Sequence, residues 1–170
     1  MERYNHAMIL DIPFILETRR NHALEHATLH VLSGKYPERH MAGHSNPSGF
    51  FLLGNLSTED VAAAVTQALT RLRAGERSLA IHAGCGTNLA TTAFLAGTLA
   101  WLPLKERKST LGRLAVLPLA LGFGVIGWGL SQPLGPWLQA KVTTEAEMGD
   151  LQVVDVAFIR KGVHRVITRN

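Results

Sequence analysis

The spacing of apolar and polar residues divides the chain into two regimes, one of short alternating elements and one of long uninterrupted apolar runs. Within residues 17–33 (ETRRNHALEHATLHVLS), Leu24, Ala27 and Val31 recur at the intervals of one helical face, and Gly34 supplies a stop. PERHMAGHSNPSG has the composition of a loop, and GFFLLGNL that of a strand. Ser57 opens STED, a capping box in which Ser57 and Asp60 flank the start of a helix expected to run through Leu72. SLAIH reads as a second strand. Beyond Leu151, LQVVDVAFIRKGVHRVITR carries the pattern of two strands that turn at Lys161 and Gly162 and could pair with the earlier sheet.

The second regime consists of residues 78–104 and 114–140, neither of which contains Asp, Glu, Lys or Arg. A bilayer core of ~30 Å needs about 20 apolar helical residues, so both stretches are expected to form a transmembrane helical hairpin, the first using residues 89–104. Gly122, Gly124, Gly127 and Gly129 would let the second helix pack closely on the first, and Trp101 and Trp137 suit the membrane interface. GFGVIG fits a dinucleotide-binding fingerprint but follows no strand, so it carries no such meaning. The expected fold class is α+β: a small helix-strand-helix-strand unit with C-terminal strands, plus the two-helix hairpin. The expected domains are 1–86, an α/β metal-site domain; 87–138, the hairpin; and 139–170, a β-hairpin tail pairing with the first domain's sheet.

Composition narrows the classes. At 170 residues, with 46% hydrophobic and 18% charged residues, the chain is not a disordered one. One cysteine, Cys85, excludes an intrachain disulfide framework and an all-thiolate metal site. A formal charge of +4 without a basic stripe interleaved with aromatics gives no reason to expect nucleic acid as a partner. The first 16 residues, MERYNHAMILDIPFIL, lack a small-residue cleavage site, so no signal peptide is expected. Lys105, Arg107, Lys108 and Arg113 would favour a cytoplasmic loop by the positive-inside tendency. A domain without a signal peptide stays cytoplasmic, however, and this weighs more: the chain is expected in the cell membrane with its soluble domain on the cytoplasmic side.

Candidate chemistry sits on the first helix. His22, His26 and His30 recur at every fourth residue, on one face, with Glu25 at its edge. Two imidazoles four residues apart can grip one metal ion, for which zinc (Zn2+) is the natural choice, with Glu25 placed to take a proton from metal-bound water. The alternative is a solvated histidine face without a ligand. His6, His40 and His164 show no informative spacing.

His22-Ala23-Leu24-Glu25-His26 is an H-x-x-E-H arrangement, and the surrounding sequence resembles the inverted zincins of the pitrilysin and insulinase type. The resemblance covers residues 21–72 and continues through AGHSNPSG, GFFLLGNL and STEDVAAAVTQALTRL. It implies that His22 and His26 bind zinc, that Glu25 is the general base, and that Asn46 contacts substrate backbone. The family's third ligand, a downstream Glu, has no counterpart in SLAIHAGCGTNLATTAF. A third ligand is therefore expected from His82 or Cys85, or else from His30 or His44.

The expected function is a membrane-anchored zinc-dependent hydrolase, a peptidase using zinc-bound water and a glutamate base. Its partners would be the lipid bilayer, a peptide or membrane-protein substrate, and further copies of the chain. Two alternatives stand beside it: a non-catalytic membrane protein binding a metal or haem through the histidine helix, and a structural membrane subunit.

Overall fold

The computed structural model describes residues 9–169, so His6 and the remainder of the first eight positions lie outside the described residues. The described residues are α+β, with helices and one antiparallel four-stranded sheet. The chain divides into two units: one contains the residues up to His82 together with those from Ala140 onward, and the other is Ala83–Gln139.

In the first unit, helix α1 (Pro13–Lys35) begins with proline at its first turn, where the missing N–H costs no bond. Strands β1 (Ala42–Asn46) and β2 (Gly49–Leu53) form a hairpin, helix α2 (Thr58–Arg73) follows, and a short 3-10 turn spans Arg77–Ala80. The Ser57 Oγ accepts from the Asp60 N–H at 3.1 Å, the bond expected of the capping box.

Two segments differ from the expected pattern. AGHSN is strand β1 and not loop, because its backbone pairs in full register with β2, from Ala42 opposite Leu53 to Asn46 opposite Gly49. SLAIH is not a strand: the carbonyls of Ala80 and Ile81 accept from His26 and His30 on α1, so they are used by side chains and not by a ladder. The place beside β2 is taken by the tail, in which β3 (Gln152–Arg160) and β4 (Val163–Arg169) turn through Gly162 at φ +77. The sheet order is β1-β2-β4-β3, so β1 and β3 are its edges.

Alternation along the strands decides which face is dry. Phe50, Leu52, His164, Val166 and Thr168 are buried, while their neighbours Leu53 and Arg169 are exposed. The buried face meets Leu24, Ala27 and Leu32 of α1 and Val61, Val65, Ala68 and Leu72 of α2. Each large side chain buried there contributes about 1.5–3 kcal/mol. His164 is enclosed beside Phe158 and its Nε2 meets the Thr58 hydroxyl at 3.2 Å, which makes it part of the packing between β4 and α2. Burial pushes its pKa below the usual imidazole value.

The second unit is a pair of helices, α3 (Gly86–Trp101) and α4 (Thr110–Leu138). A Cβ on Gly127 would lie 2.6 Å from the Leu95 carbonyl oxygen, and one on Gly124 would lie 3.4 Å from the Ala100 Cβ. These two glycines allow the close approach. Gly122 and Gly129 face open space and do not contribute to it. The expectation of two spanning helices is corrected here: with 16 residues α3 is only ~24 Å long, whereas the 29 residues of α4 reach ~43 Å. Among the described residues one helix, α4 with its continuation, is long and apolar enough to cross a membrane. Trp101 and Trp137 are 57% and 54% exposed.

The end of α1 is clamped to the start of α2. Asp60 accepts from Lys35 at 2.5 Å, from Tyr36 at 2.7 Å and from Ser57 at 2.8 Å. These hydrogen bonds, that of Lys35 foremost, hold the Asp60 carboxyl well below the usual carboxylate range. A carboxyl depressed in the folded state stabilises it above the unfolded pKa of about 3.9, and that contribution is lost as pH falls toward the folded value. Asp60→Asn is therefore expected to lower the denaturation midpoint most at neutral pH. The gap to the unmodified chain should close as pH falls below about 4; a gap independent of pH would contradict the clamp.

Candidate metal centre

Helix α1 carries polar side chains on a stretch that is buried nearly all round. His26 is 1% exposed and Glu25 4%, and His22 is half-buried. The histidine face is therefore not a solvated one. The His22 and His26 rings meet edge to face, with centroids 4.3 Å apart, as the four-residue spacing dictates.

The tautomers follow from the partners. A carbonyl oxygen only accepts, so a ring nitrogen bonded to one must carry hydrogen. His22 donates Nδ1–H to the Thr143 carbonyl at 2.9 Å, and His26 donates Nδ1–H to the Ala80 carbonyl at 2.7 Å. In the neutral ring the lone pair then sits on Nε2 in both. His30 is bonded the other way, through Nε2 to the Ile81 carbonyl at 2.8 Å. Its opposite tautomer sets it apart from the pair. His82 packs against both neighbours, its ring 5.7 Å from that of His26 and 5.1 Å from that of His30.

Glu25 points at β1. The Ser45 hydroxyl donates to its Oε2. A Cβ at Gly43 would overlap the carboxylate, so the glycine is needed here for space rather than for its backbone angle. Residues 43 and 45 share the helix-facing side of the strand, and only small side chains there leave a niche for a buried carboxylate. Burying that group without a hydrogen bond would cost several kcal/mol.

Neighbouring residues hold the frame. Arg19 donates to the carbonyls of Val142 at 2.9 Å and Thr144 at 3.0 Å, and Arg20 to that of Glu147 at 3.0 Å. This lays the returning chain along α1 and brings Thr143 to His22. Asn21 is fully buried; it donates to the carbonyls of Asn46 and Pro47, both at 2.9 Å, and accepts from Thr168 at 2.7 Å. One side chain thus ties the histidine helix to the β1–β2 turn and to β4.

Among the other residues singled out from the sequence, Asn46 lies in that turn. Its Oδ1 accepts from the Ser48 backbone at 3.1 Å and from Arg165 at 2.9 Å, so this oxygen serves the turn. His44 is exposed and lies opposite Phe51, in a register one residue removed from Gly43 and Ser45, so it faces away from α1. Cys85 belongs to the second unit, three residues after His82, where its Sγ caps α3 by accepting from the Thr87 N–H at 3.4 Å. The carbonyls of Thr143 and Ala80 have no signature in the sequence. Gly43 and Ser45 had one, two small residues at strand spacing, in a segment read as loop.

The arrangement presents two imidazole nitrogens from adjacent turns, each ring oriented by a backbone carbonyl behind it, while the carboxylate of the intervening Glu25 turns to β1. Carbonyl-backed imidazoles are the usual outer support of metal-ligating histidine.

The family model of a domain of unknown function, DUF6391, matches residues 17–156 of this chain. The match takes in the histidine helix and the helical pair alike. An uncharacterized protein of Picosynechococcus sp. is 38% identical, the alignment covering 76% of this chain and 67% of that protein. No solved structure matches the chain.

The frame makes Asn21 the most sensitive position outside the histidines. Asn21→Ala strands two carbonyls and a buried hydroxyl, and is expected to destabilise the fold by about 2–4 kcal/mol in urea denaturation. A loss within ~0.5 kcal/mol would show that the turn holds α1 by other means.

Proposed function

We propose, for a chain that belongs to the DUF6391 family, a membrane-anchored zinc-dependent hydrolase acting on peptides, with His22 and His26 as metal ligands and Glu25 as general base. One observation carries this reading: two neighbouring imidazoles both turn Nδ1–H to a backbone carbonyl, while a buried carboxylate lies one residue from the second. The donor set suits zinc, which accepts neutral imidazole nitrogen and thiolate sulfur. Cys85 is proposed as the third ligand. It follows His82 by three residues, a reach of about 10 Å at most, and the His82 ring lies against that of His26.

Zinc bound there would lower the pKa of a water toward about 7 and polarise a substrate carbonyl. The remaining work falls to the chain. Glu25 takes the proton of the attacking water and returns it to the leaving amine. The Ser45 hydroxyl keeps the carboxylate turned toward β1 and lowers the cost of holding it charged in a buried place. The carbonyls of Thr143 and Ala80 keep both rings in one tautomer through each turnover.

The anchor is proposed to be α4, the helix long and apolar enough to cross a bilayer, with the shorter α3 packed against it and the soluble domain on the cytoplasmic side. Leu89, Phe94, Leu121, Val125 and Trp128 are exposed apolar side chains that lipid would cover.

The test begins with carbonate-washed membranes, in which the chain is expected to stay in the pellet. After detergent extraction, equilibrium dialysis should give one zinc per chain, lost in His26→Ala and retained in Glu25→Gln. Cobalt substitution should show a thiolate-to-metal charge-transfer band that Cys85→Ser removes. Hydrolysis of a fluorogenic peptide pool should fall about 10²–10⁴-fold in Glu25→Gln. Zinc binding without any hydrolysis would favour the non-catalytic metal-binding alternative, and no zinc binding by the folded chain would overturn the reading.

A further inference from the structure

The inner row of β4 is His164, Val166 and Thr168, and the strands on either side place Leu52 and Phe158 opposite His164. An ionisable ring therefore stands in an apolar row. It is fully buried; its Nε2 has the Thr58 hydroxyl at 3.2 Å, and its Nδ1 has no hydrogen-bond partner. A leucine or phenylalanine would fill this place and leave no polar atom unserved, so packing alone does not account for an imidazole here.

Protonation makes the place worse. Imidazolium needs an acceptor at each nitrogen; the Thr58 hydroxyl can serve Nε2, and nothing serves Nδ1. Thr58 is also the first residue of α2, where the helix dipole sets partial positive charge, and this adds to the penalty of burial. Glu59, next along α2, acts the other way and favours the charged ring, by less than burial disfavours it. The other charged groups at this end are engaged or turned away. Asp60 is taken by Lys35 of α1, while Asp155 and Arg160 of β3 stand opposite Ile167 and Val163 and Arg165 lies over Phe51, all on the outer face of the sheet. Strand β2 carries no charged side chain. A charged His164 is relieved only by reaching water.

We propose that His164 is an acid-sensitive latch between α2 and the β3–β4 hairpin, closed while the ring is neutral and opened when it takes a proton. The Asp60 clamp makes the opening local. That carboxyl stays ionised far below the range in which imidazole titrates, so α1 and α2 remain joined through Lys35 and Tyr36 while the first turn of α2 parts from β4. The sign follows from linkage: a base whose pKa is depressed in the closed state stabilises that state above the open-state value of about 6.5, and the contribution is lost as pH falls below it. Strand β4 also carries Thr168, which donates to Asn21, so the latch bears on the helix that holds His22 and His26.

The latch does not depend on the hydrolase reading, and hydrogen exchange followed by mass spectrometry on the zinc-free, detergent-solubilised full chain tests it at pH 7.5 and pH 5.0. After correction for the intrinsic pH dependence of amide exchange, peptides covering residues 57–62 and 157–166 are expected to exchange about 10- to 30-fold faster at pH 5.0, the upper figure being the limit for a closed state that stays neutral. Peptides covering residues 31–36, at the clamp, should not change. His164→Phe keeps a ring of similar size without the titration and should abolish the rise. Glu59→Gln, at an exposed position, removes the charge that favours imidazolium in the closed state and should enlarge the rise. An imidazole that only packs predicts neither result. A rise of less than about twofold, one that persists in His164→Phe, or one that shrinks in Glu59→Gln would overturn the proposal.

Discussion

Helix α1 is enclosed on nearly every side and yet carries two imidazoles and a carboxylate in consecutive turns, and each of these needs a hydrogen-bond partner inside the protein. Most of the first unit can be traced to that requirement. The partner of His26 comes from 54 residues away and that of His22 from 121 residues away. The segment at Ala80 therefore coils into a 3-10 turn and passes its carbonyls to α1. The chain returning after the helical pair must likewise lie along the start of α1, where Arg19 holds it at Val142 and Thr144.

The sheet answers the same helix from its other side. Gly43 and Ser45 make β1 thin where Glu25 enters, and the buried rows of β2 and β4 supply the apolar contact that fixes the height of α1 above the strands. The carboxylate niche and the carbonyl-backed ring pair thus lie on adjoining parts of one helix, supported by different segments. A rigid support of this kind is what a metal centre needs, because ligand geometry has to be held by groups that do not themselves bind the ion.

Local signals were the readable part of the sequence. The four-residue recurrence of histidine, the capping box at Ser57 and the Lys161-Gly162 turn each depend on neighbours in the chain, and each corresponds to an element seen in the structure. Non-local pairing was not readable. AGHSN has a poor strand composition and becomes β1 through its register with β2, while SLAIH has a good one and loses the sheet position to β4. The uncharged run at residues 78–104 was longer than the helix it produced, because its first part serves α1 and the 3-10 turn. Backbone carbonyls such as those of Thr143 and Ala80 carry no residue identity, so the feature that most favours a metal was invisible until the chain was folded.

X-ray absorption at the zinc edge, on the zinc-loaded, detergent-solubilised chain, bears most directly on the central claim. The account predicts a first shell with two nitrogen scatterers at ~2.0 Å that show the outer-shell pattern of imidazole, and one sulfur at ~2.3 Å. A shell of oxygen alone, or one unchanged when His22 and His26 are both replaced by Ala, would contradict it.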